Sequence, residues 1–364
     1  MNIALADNQA LADFSRVLAL SAMAVYALAF VAHIAEWVFG SRSKVARTAA
    51  ALSPKKQSPY SKSVEEIRAA ENGGGTAVLE KPKVVSRATV GGRPDLPDGP
   101  GAAGGDAQGD TFGRIAIALT GLAFAIHLAA VVTRAVSVTR APWANMYEFS
   151  LTFSMVVVGA YLALLIAKKN VRWVGLILVT TVLLDLGLAS TVLYTESDQL
   201  PPALDSAWLW IHVSLAIVCG ALFYLGAVGT VLYLFRDGYE AKLERGGKPG
   251  AFSTSVLERL PSAATLDKFA YRVNAAVFPF WTFTIIAGAI WAEDAWGRYW
   301  GWDAKEVWSF ITWVAYAGYL HARATVGWKG RRAAMLAIIA FLCFLFNYYG
   351  VNLFVNSLHS YSGV

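Results

Sequence analysis

The chain has 364 residues, of which 56% are apolar and only 15% charged, too few charges to coat a soluble globule of this length. The apolar residues come in runs of about 20, the length a helix needs to cross a bilayer of roughly 30 Å, so the sequence describes a polytopic membrane protein built of helices. A net charge of +6 would otherwise point to nucleic acid, but its distribution follows membrane topology, and no nucleic-acid partner is expected.

In chain order the sequence predicts an all-α fold of about eight spans: Phe14–Gly40, Phe112–Val132, Phe149–Ala167, Trp173–Tyr194, Trp208–Phe235, Asn274–Trp291, Val307–Ala322 and Ala333–Val355. The first span, residues 1–40, is expected to stand apart as an N-terminal transmembrane helix, with no cleaved leader before it. Residues 41–111 follow, rich in Gly, Pro, Ala, Ser and Lys, with GGG at 73–75, GGRP at 91–94 and DGPGAAGG at 98–105. This composition predicts a flexible basic cytoplasmic linker with at most a short helix near Val64–Ala70. The remaining spans form a membrane domain over 112–364. Its two cysteines, Cys219 and Cys343, lie inside apolar runs and offer neither a disulfide framework nor a thiol-based metal site.

Lys and Arg set the orientation. With 41–111 on the cytoplasmic side, only Arg16, Arg134, Arg140, Arg298 and Lys305 of the 31 basic residues fall on the opposite side. That asymmetry places both termini outside and favours an even number of spans. The external face then carries PWANMYE (142–148), the 195–208 connection, the stretch between the sixth and seventh spans, and the tail beyond residue 355.

The stretch between the sixth and seventh spans, WAEDAWGRYWGWDAKEVWSFITW (291–313), holds six tryptophans. Trp291, Trp308 and Trp313 stand at span ends, where an aromatic belt explains them. Trp296, Trp300 and Trp302 sit in a short connection that needs no anchor. If 296–303 is helical, Trp296, Tyr299, Trp300 and Asp303 share one face. His212, at the outer end of the fifth span, and His359, just past the eighth, fall on the same side. Taken singly, the first reads as an interfacial histidine and the second as an exposed tail residue. Taken together, two imidazoles beside a broad aromatic surface suit haem, which needs axial nitrogen ligands and flat apolar contacts. Arg298 and Lys305 are then candidates to pair with its propionates.

Three further histidines lie within spans. His321, in the inner half of the seventh, is an ionisable intramembrane group and hence a functional candidate. His33 in the first span stands at a comparable depth and could pair with it as a second iron ligand; the plainer alternative is a packed, hydrogen-bonded histidine. His127 reads as structural, and Asp185 in the fourth span as a polar helix contact rather than a proton relay.

The segment WGRYWGWDAKEVWSFITWVAYAGYLHAR (296–323) resembles the WWD signature of the cytochrome c assembly family. Its continuation, FNYYGVNLFVNSLHSY (346–361), and PWANMYE are similar to the CcsA/ResC branch of System II; Ser357 replaces the glycine usual before LHSY. The resemblance runs from about 112 to 361 and makes 112–364 a haem-handling domain, with the N-terminal span and linker outside the shared core. It implies a cytochrome c synthetase, or haem lyase, subunit in the cell membrane that works on the extracytoplasmic side. It puts the two external haem ligands on His212 and His359, an intramembrane ligand on His321, and the WWD platform on Trp296 to Trp308. The substrate implied is haem b with reduced iron, attached through thioethers to the CxxCH of an apocytochrome c. The partners implied are a CcsB/ResB membrane subunit, which would supply the second intramembrane ligand in place of His33, and an external thiol-reducing protein. Haem export and passive haem delivery to a separate ligase are the alternatives.

Overall fold

The structure, a computed structural model, describes residues 2–42, 98–196 and 206–359, with side chains from Asn8 to Gly40 in the first stretch. Most of the expected linker, with the short helix expected near Val64–Ala70, most of the 195–208 connection and the last residues of the tail lie outside the described residues. All regular structure among those described is helical. The helices are α1 (Asn2–Arg42), α2 (Ala107–Val138), α3 (Met146–Ile166), a 3-10 turn (Arg172–Val174) leading into α4 (Gly175–Thr191), α5 (Ala207–Glu244), the short α6 (Ala251–Leu257), α7 (Ala263–Trp296), α8 (Ala304–Ala324) and α9 (Arg331–Leu345). A π-helical turn (Phe346–Gly350) joins α9 to α10 (Val351–Phe354).

Seven of these segments are long and apolar enough to cross a membrane: six helices (one with its 3-10 entry) and the continuous run Arg331–Phe354. The chain is therefore a multi-pass membrane protein. Helix α8, which covers the expected seventh span, is 21 residues long but is not among them, because aromatic and polar residues take the place of aliphatic ones. It nonetheless runs back along α7. Arg323 near its end forms a two-pronged ion pair with Asp267 near the start of α7 (2.6 and 2.8 Å), and Trp313 Nε1 midway donates to Thr282 Oγ1 at 2.9 Å.

The helices form two packed groups that share α5. In the first, alanines of α1 (Ala12, Ala19, Ala22, Ala29) and of α2 (Ala116, Ala123, Ala130) let the two backbones approach closely, as small residues do between membrane helices. Helices α3 and α4 complete this group. In the second, Phe223 of α5 stacks on Tyr316 of α8 at 4.0 Å, with Trp281 of α7 and Phe344 of α9 packed around them. Five helices start where a polar side chain satisfies their first amides: Asp106 for α2, Asn145 for α3, Ser206 for α5, Ser262 for α7 and Asp303 for α8. These caps explain why several helices begin before the apolar runs do.

The composition assigns 98–105 to a flexible linker, but residues 98–106 are packed. Gly99 and Gly101 donate to the carbonyls of Leu260 and Arg259 (3.1 and 2.9 Å), Asp98 accepts from the Ser262 amide at 2.8 Å, and Arg259 donates to the carbonyls of Ala102 and Trp37 at 2.7 Å. A side chain on Gly40 or Gly99 would strike backbone atoms. Glycine serves close backbone approach here rather than looseness.

Candidate functional site

At the end of the bundle where α7 hands over to α8, a cavity opens between the two helix groups. One wall is the loop before α3, with Trp143 and Asn145; the others come from α5, α7, the start of α8, the π-helical turn and the tail. Both His212 and His359 line it, as do Trp281, Trp291, Trp296 and Trp300.

His212 stands one turn and a half into α5, and its Nδ1 lies 2.8 Å from the backbone carbonyl oxygen of Thr284. A carbonyl only accepts, so Nδ1 carries the proton and the lone pair is on Nε2. Gly288, one turn beyond Thr284, makes the contact possible: a methyl there would come within 2.6 Å of the imidazole. Trp291 flanks the ring at 5.9 Å.

His359 is fixed in the same sense from the tail. Its Nδ1 lies 2.7 Å from Asp303 Oδ2, while Asp303 Oδ1 accepts from the Leu358 amide at 3.0 Å. Burial opposes ionisation of Asp303, yet the bonds from His359, Leu358 and Lys305 prevail and hold its carboxyl at about 2. The carboxylate therefore accepts, and His359 too presents its lone pair on Nε2. Asp303 does this while capping α8: it accepts from the Lys305 amide, and Glu306 reaches back to the Asp303 amide, forming a capping box. Trp296 meets the His359 ring edge-on at 4.8 Å.

The expected helical face over 296–303 does not form. Helix α7 stops at Trp296 because Gly297 turns left-handed (φ 69°), Trp302 also adopts a positive φ (58°), and Asp303 starts the next helix. Trp296, Tyr299, Trp300 and Lys305 line the cavity; Arg298, Trp302, Asp303 and Trp308 do not. Arg298 folds across Gly301, Trp302 packs edge-on to Trp300 at 5.8 Å, and Trp308 lies on Phe346 at 4.2 Å. Lys305 Nζ donates to the Asn347 carbonyl at 2.9 Å, and burial brings its ammonium down to about 7.

The remaining histidines lie elsewhere. His321 is exposed near the C-terminal end of α8. His33 is fully buried, its Nδ1 3.3 Å from Glu36, whose carboxylate also binds Arg172. It is enclosed by α1, α2 and α4, whereas α8 packs on α7 and α9, so the structure does not bring His33 and His321 together as a pair. His127 Nδ1 meets Tyr26 Oη at 3.4 Å. Asp185 accepts from Ser154 (2.6 Å) and Tyr349 (2.7 Å), a polar helix contact.

Several contributors escape the sequence reading. Trp143 and Asn145 belong to a loop locked by the fully buried Glu148, which takes Arg134 at 2.9 Å, Arg140 at 2.8 Å and the Ala144 amide at 3.0 Å. Trp281 lies within an apolar run and shows no local sign of facing a cavity. Glu306 and Asn347 also line it. Glu306 had a readable signal, the D-x-x-E of a capping box.

Fold and cavity together define a multi-pass helical membrane protein that offers two imidazole nitrogens inside an aromatic cleft, a donor set suited to an iron porphyrin. Residues 143–359, the segment that supplies every wall of this cleft, match the family model described as cytochrome C assembly protein. Curated proteins named "Cytochrome c biogenesis protein CcsA" are similar over most of their own length. The one from Gloeothece citriformis is 35% identical over 292 residues (69% of this chain, 87% of that protein). Those from Synechococcus elongatus and Trieres chinensis are 37% and 35% identical, each over 60% of this chain and 78% and 77% of the relative. The chain belongs to the cytochrome c assembly protein family, and its role is in cytochrome c biogenesis.

Proposed function

We propose that the chain is the haem-holding membrane subunit of a cytochrome c synthetase. In this reading His212 and His359 bind the iron of haem b in its reduced state from its two sides, and the Trp296–Trp300 region frames the ring. The observation that carries it is the matched state of the two imidazoles. Each has Nδ1 occupied by a fixed acceptor, each directs its lone pair through Nε2, and both line one aromatic cavity. Lys305, also on the lining, is the cation for a propionate; Arg298, folded over Gly301, drops out of that role.

The chain's own contribution is positioning. It holds the substrate so that the two thiols of an apocytochrome CxxCH can reach the vinyl groups, with a CcsB/ResB-type subunit beside it and an external thiol reductant keeping the cysteines reduced. The basic-residue asymmetry supports an extracytoplasmic cleft in the cell membrane, with α8 as the seventh of eight spans. The exposed position of His321 favours a second haem contact reached from the side of the bundle, as export through the membrane would need. The test is the haem content and absorption spectrum of the protein purified with its membrane partner. His212→Ala and His359→Ala are each expected to lose haem and cytochrome c maturation; full retention of both in both variants overturns the ligand assignment. If His321→Ala empties the cleft and externally added haem restores maturation, the export route holds.

A further inference from the structure

Glu306 plays two parts. Its Oε2 accepts from the amides of Gly301 (2.8 Å) and Asp303 (3.0 Å), bonds that belong to the turn and the cap of α8. Its Oε1 has no hydrogen-bond partner among the described residues, although Glu306 is only 8% exposed and lines the cavity. The same wall carries a second acceptor in this condition, Asn347 Oδ1, on a residue 5% exposed. The Asn347 side chain is held by the bond from its Nδ2 to Ser309 Oγ at 2.9 Å.

Leaving a buried acceptor unsatisfied is unfavourable, by about 1–3 kcal/mol and more for a charged group. Two on one wall mean that the wall awaits a donor. A metal ion is not that donor: no group of three His, Cys, Asp or Glu among the described residues is arranged to hold one. Haem does not supply it either, since its ionised propionates accept and its iron is met by imidazole. Of the groups that come together in the reaction proposed above, the thiol of the incoming peptide is the one that brings a proton it must lose.

We propose that Glu306 is the proton acceptor for the substrate thiol, with Asn347 orienting the S–H beside it; the assignment rests on the synthetase reading. The cysteine S–H bond breaks and its proton passes to Glu306 Oε1. The sulfur pair forms the C–S bond at the vinyl carbon attached to the ring. The vinyl π pair takes the proton back from Glu306 at the terminal carbon, which returns the carboxylate to its starting state. No electron enters or leaves, so atoms and charge balance without a further reactant. The anchoring of Oε2 fixes where Oε1 stands, so the acceptor is held in place for the incoming thiol.

The experiment uses the full chain with its membrane partner, loaded with reduced haem, and a CxxCH peptide kept reduced. Bound haem is read from the spectrum, and thioether formation from haem that resists extraction. Glu306→Gln keeps an oxygen for the two amides, so fold and haem content are expected to match the wild type while thioether formation falls by about 100-fold or more. Raising the pH towards the thiol's own value of about 8.5 should recover the variant's rate relative to the wild type, since the peptide then ionises unaided. His212, Tyr299, Lys305, Tyr348 and His359 also face the cavity, but they are common to both proteins and cancel in that ratio. Glu306→Asp, which keeps a carboxylate, is expected to fall between the two. A Glu306→Gln rate within about threefold of the wild type overturns the assignment, as does loss of haem from that variant. Failure of the haem-loaded wild type to form any thioether overturns the synthetase reading, and the assignment with it.

Discussion

Asp303→Asn removes one of the two acceptor oxygens of Asp303. Oδ2 takes both the Lys305 amide and His359 Nδ1 while Oδ1 takes the Leu358 amide, so asparagine, with one oxygen, can no longer hold the cap, the imidazole and the tail together; because asparagine caps helices as well as aspartate does, α8 should stay intact. What it cannot keep is an acceptor-only carboxylate facing His359 Nδ1 at 2.7 Å. If the amide NH₂ turns to the imidazole, the ring must take the other tautomer, which puts the proton on Nε2, the nitrogen proposed above to bind iron. The shift of the Asp303 carboxyl from 3.8 to about 2 corresponds to about 2 kcal/mol in favour of the ionised form. The bond from His359 is the largest of the causes that lower the carboxyl, and a 10–100-fold weakening is typical when the carboxylate behind a metal-binding histidine is removed. The assay is haem titration of the purified complex under reducing conditions, with the thermal midpoint recorded alongside. Haem affinity is expected to fall by about 10–100-fold while the midpoint moves little. An unchanged affinity would show that His359 does not depend on Asp303 for its tautomer. For Asp303 the folded value lies below the unfolded one. Its contribution is therefore complete above about pH 4 and is lost as pH falls through about 2, so neutral-pH assays see all of it.

Three more outcomes follow from the same geometry. Gly288→Ala places a methyl 2.6 Å from the His212 ring and should displace the imidazole, reducing haem content at a stability loss of about 1–3 kcal/mol; wild-type haem content would contradict the packing. Glu148→Gln takes away the carboxylate that meets the fully buried Arg134, so a loss of about 3–5 kcal/mol is expected, and a thermal midpoint within about 2 °C of the wild type would refute it. Lys305 titrates at about 7 in the fold against 10.5 when free. The unfolded chain therefore binds more protons between those values, and stability should rise with pH across them. Over the same rise the charge that meets a carboxylate-bearing substrate is lost, so its affinity should fall through pH 7, and Lys305→Met should remove that dependence.

The helices were legible in the sequence because each span is a long apolar run, and hydropathy reports burial in lipid directly. α8 is the instructive case. Its pattern sits between KEVW and LHAR and places the helix well, yet its aromatic faces keep it below the apolar level of its neighbours. The two histidines could be paired in advance because topology put them on one side. Their fixing groups could not: His212 leans on a backbone carbonyl, which has no signature in a side-chain alphabet. The helical face over 296–303 failed for a local reason. Gly297 supplies a left-handed stop, and Gly301 gives way to Arg298. Glu306 was overlooked because its spacing from Asp303 is explained by capping, which hides the second oxygen.

The docked stretch 98–106 has a bearing on how this chain tolerates change. It returns to the end of α1, where Gly40 and Gly104 pack backbone to backbone. The described residues on either side of positions 43–97 are thus held together by their own contacts. Doubling the length of a loop between ends held in this way adds only about 0.6 kcal/mol of closure entropy. The junction is a natural port, where residues can be removed or a whole foreign module inserted while the cleft at the far end of the bundle keeps its shape.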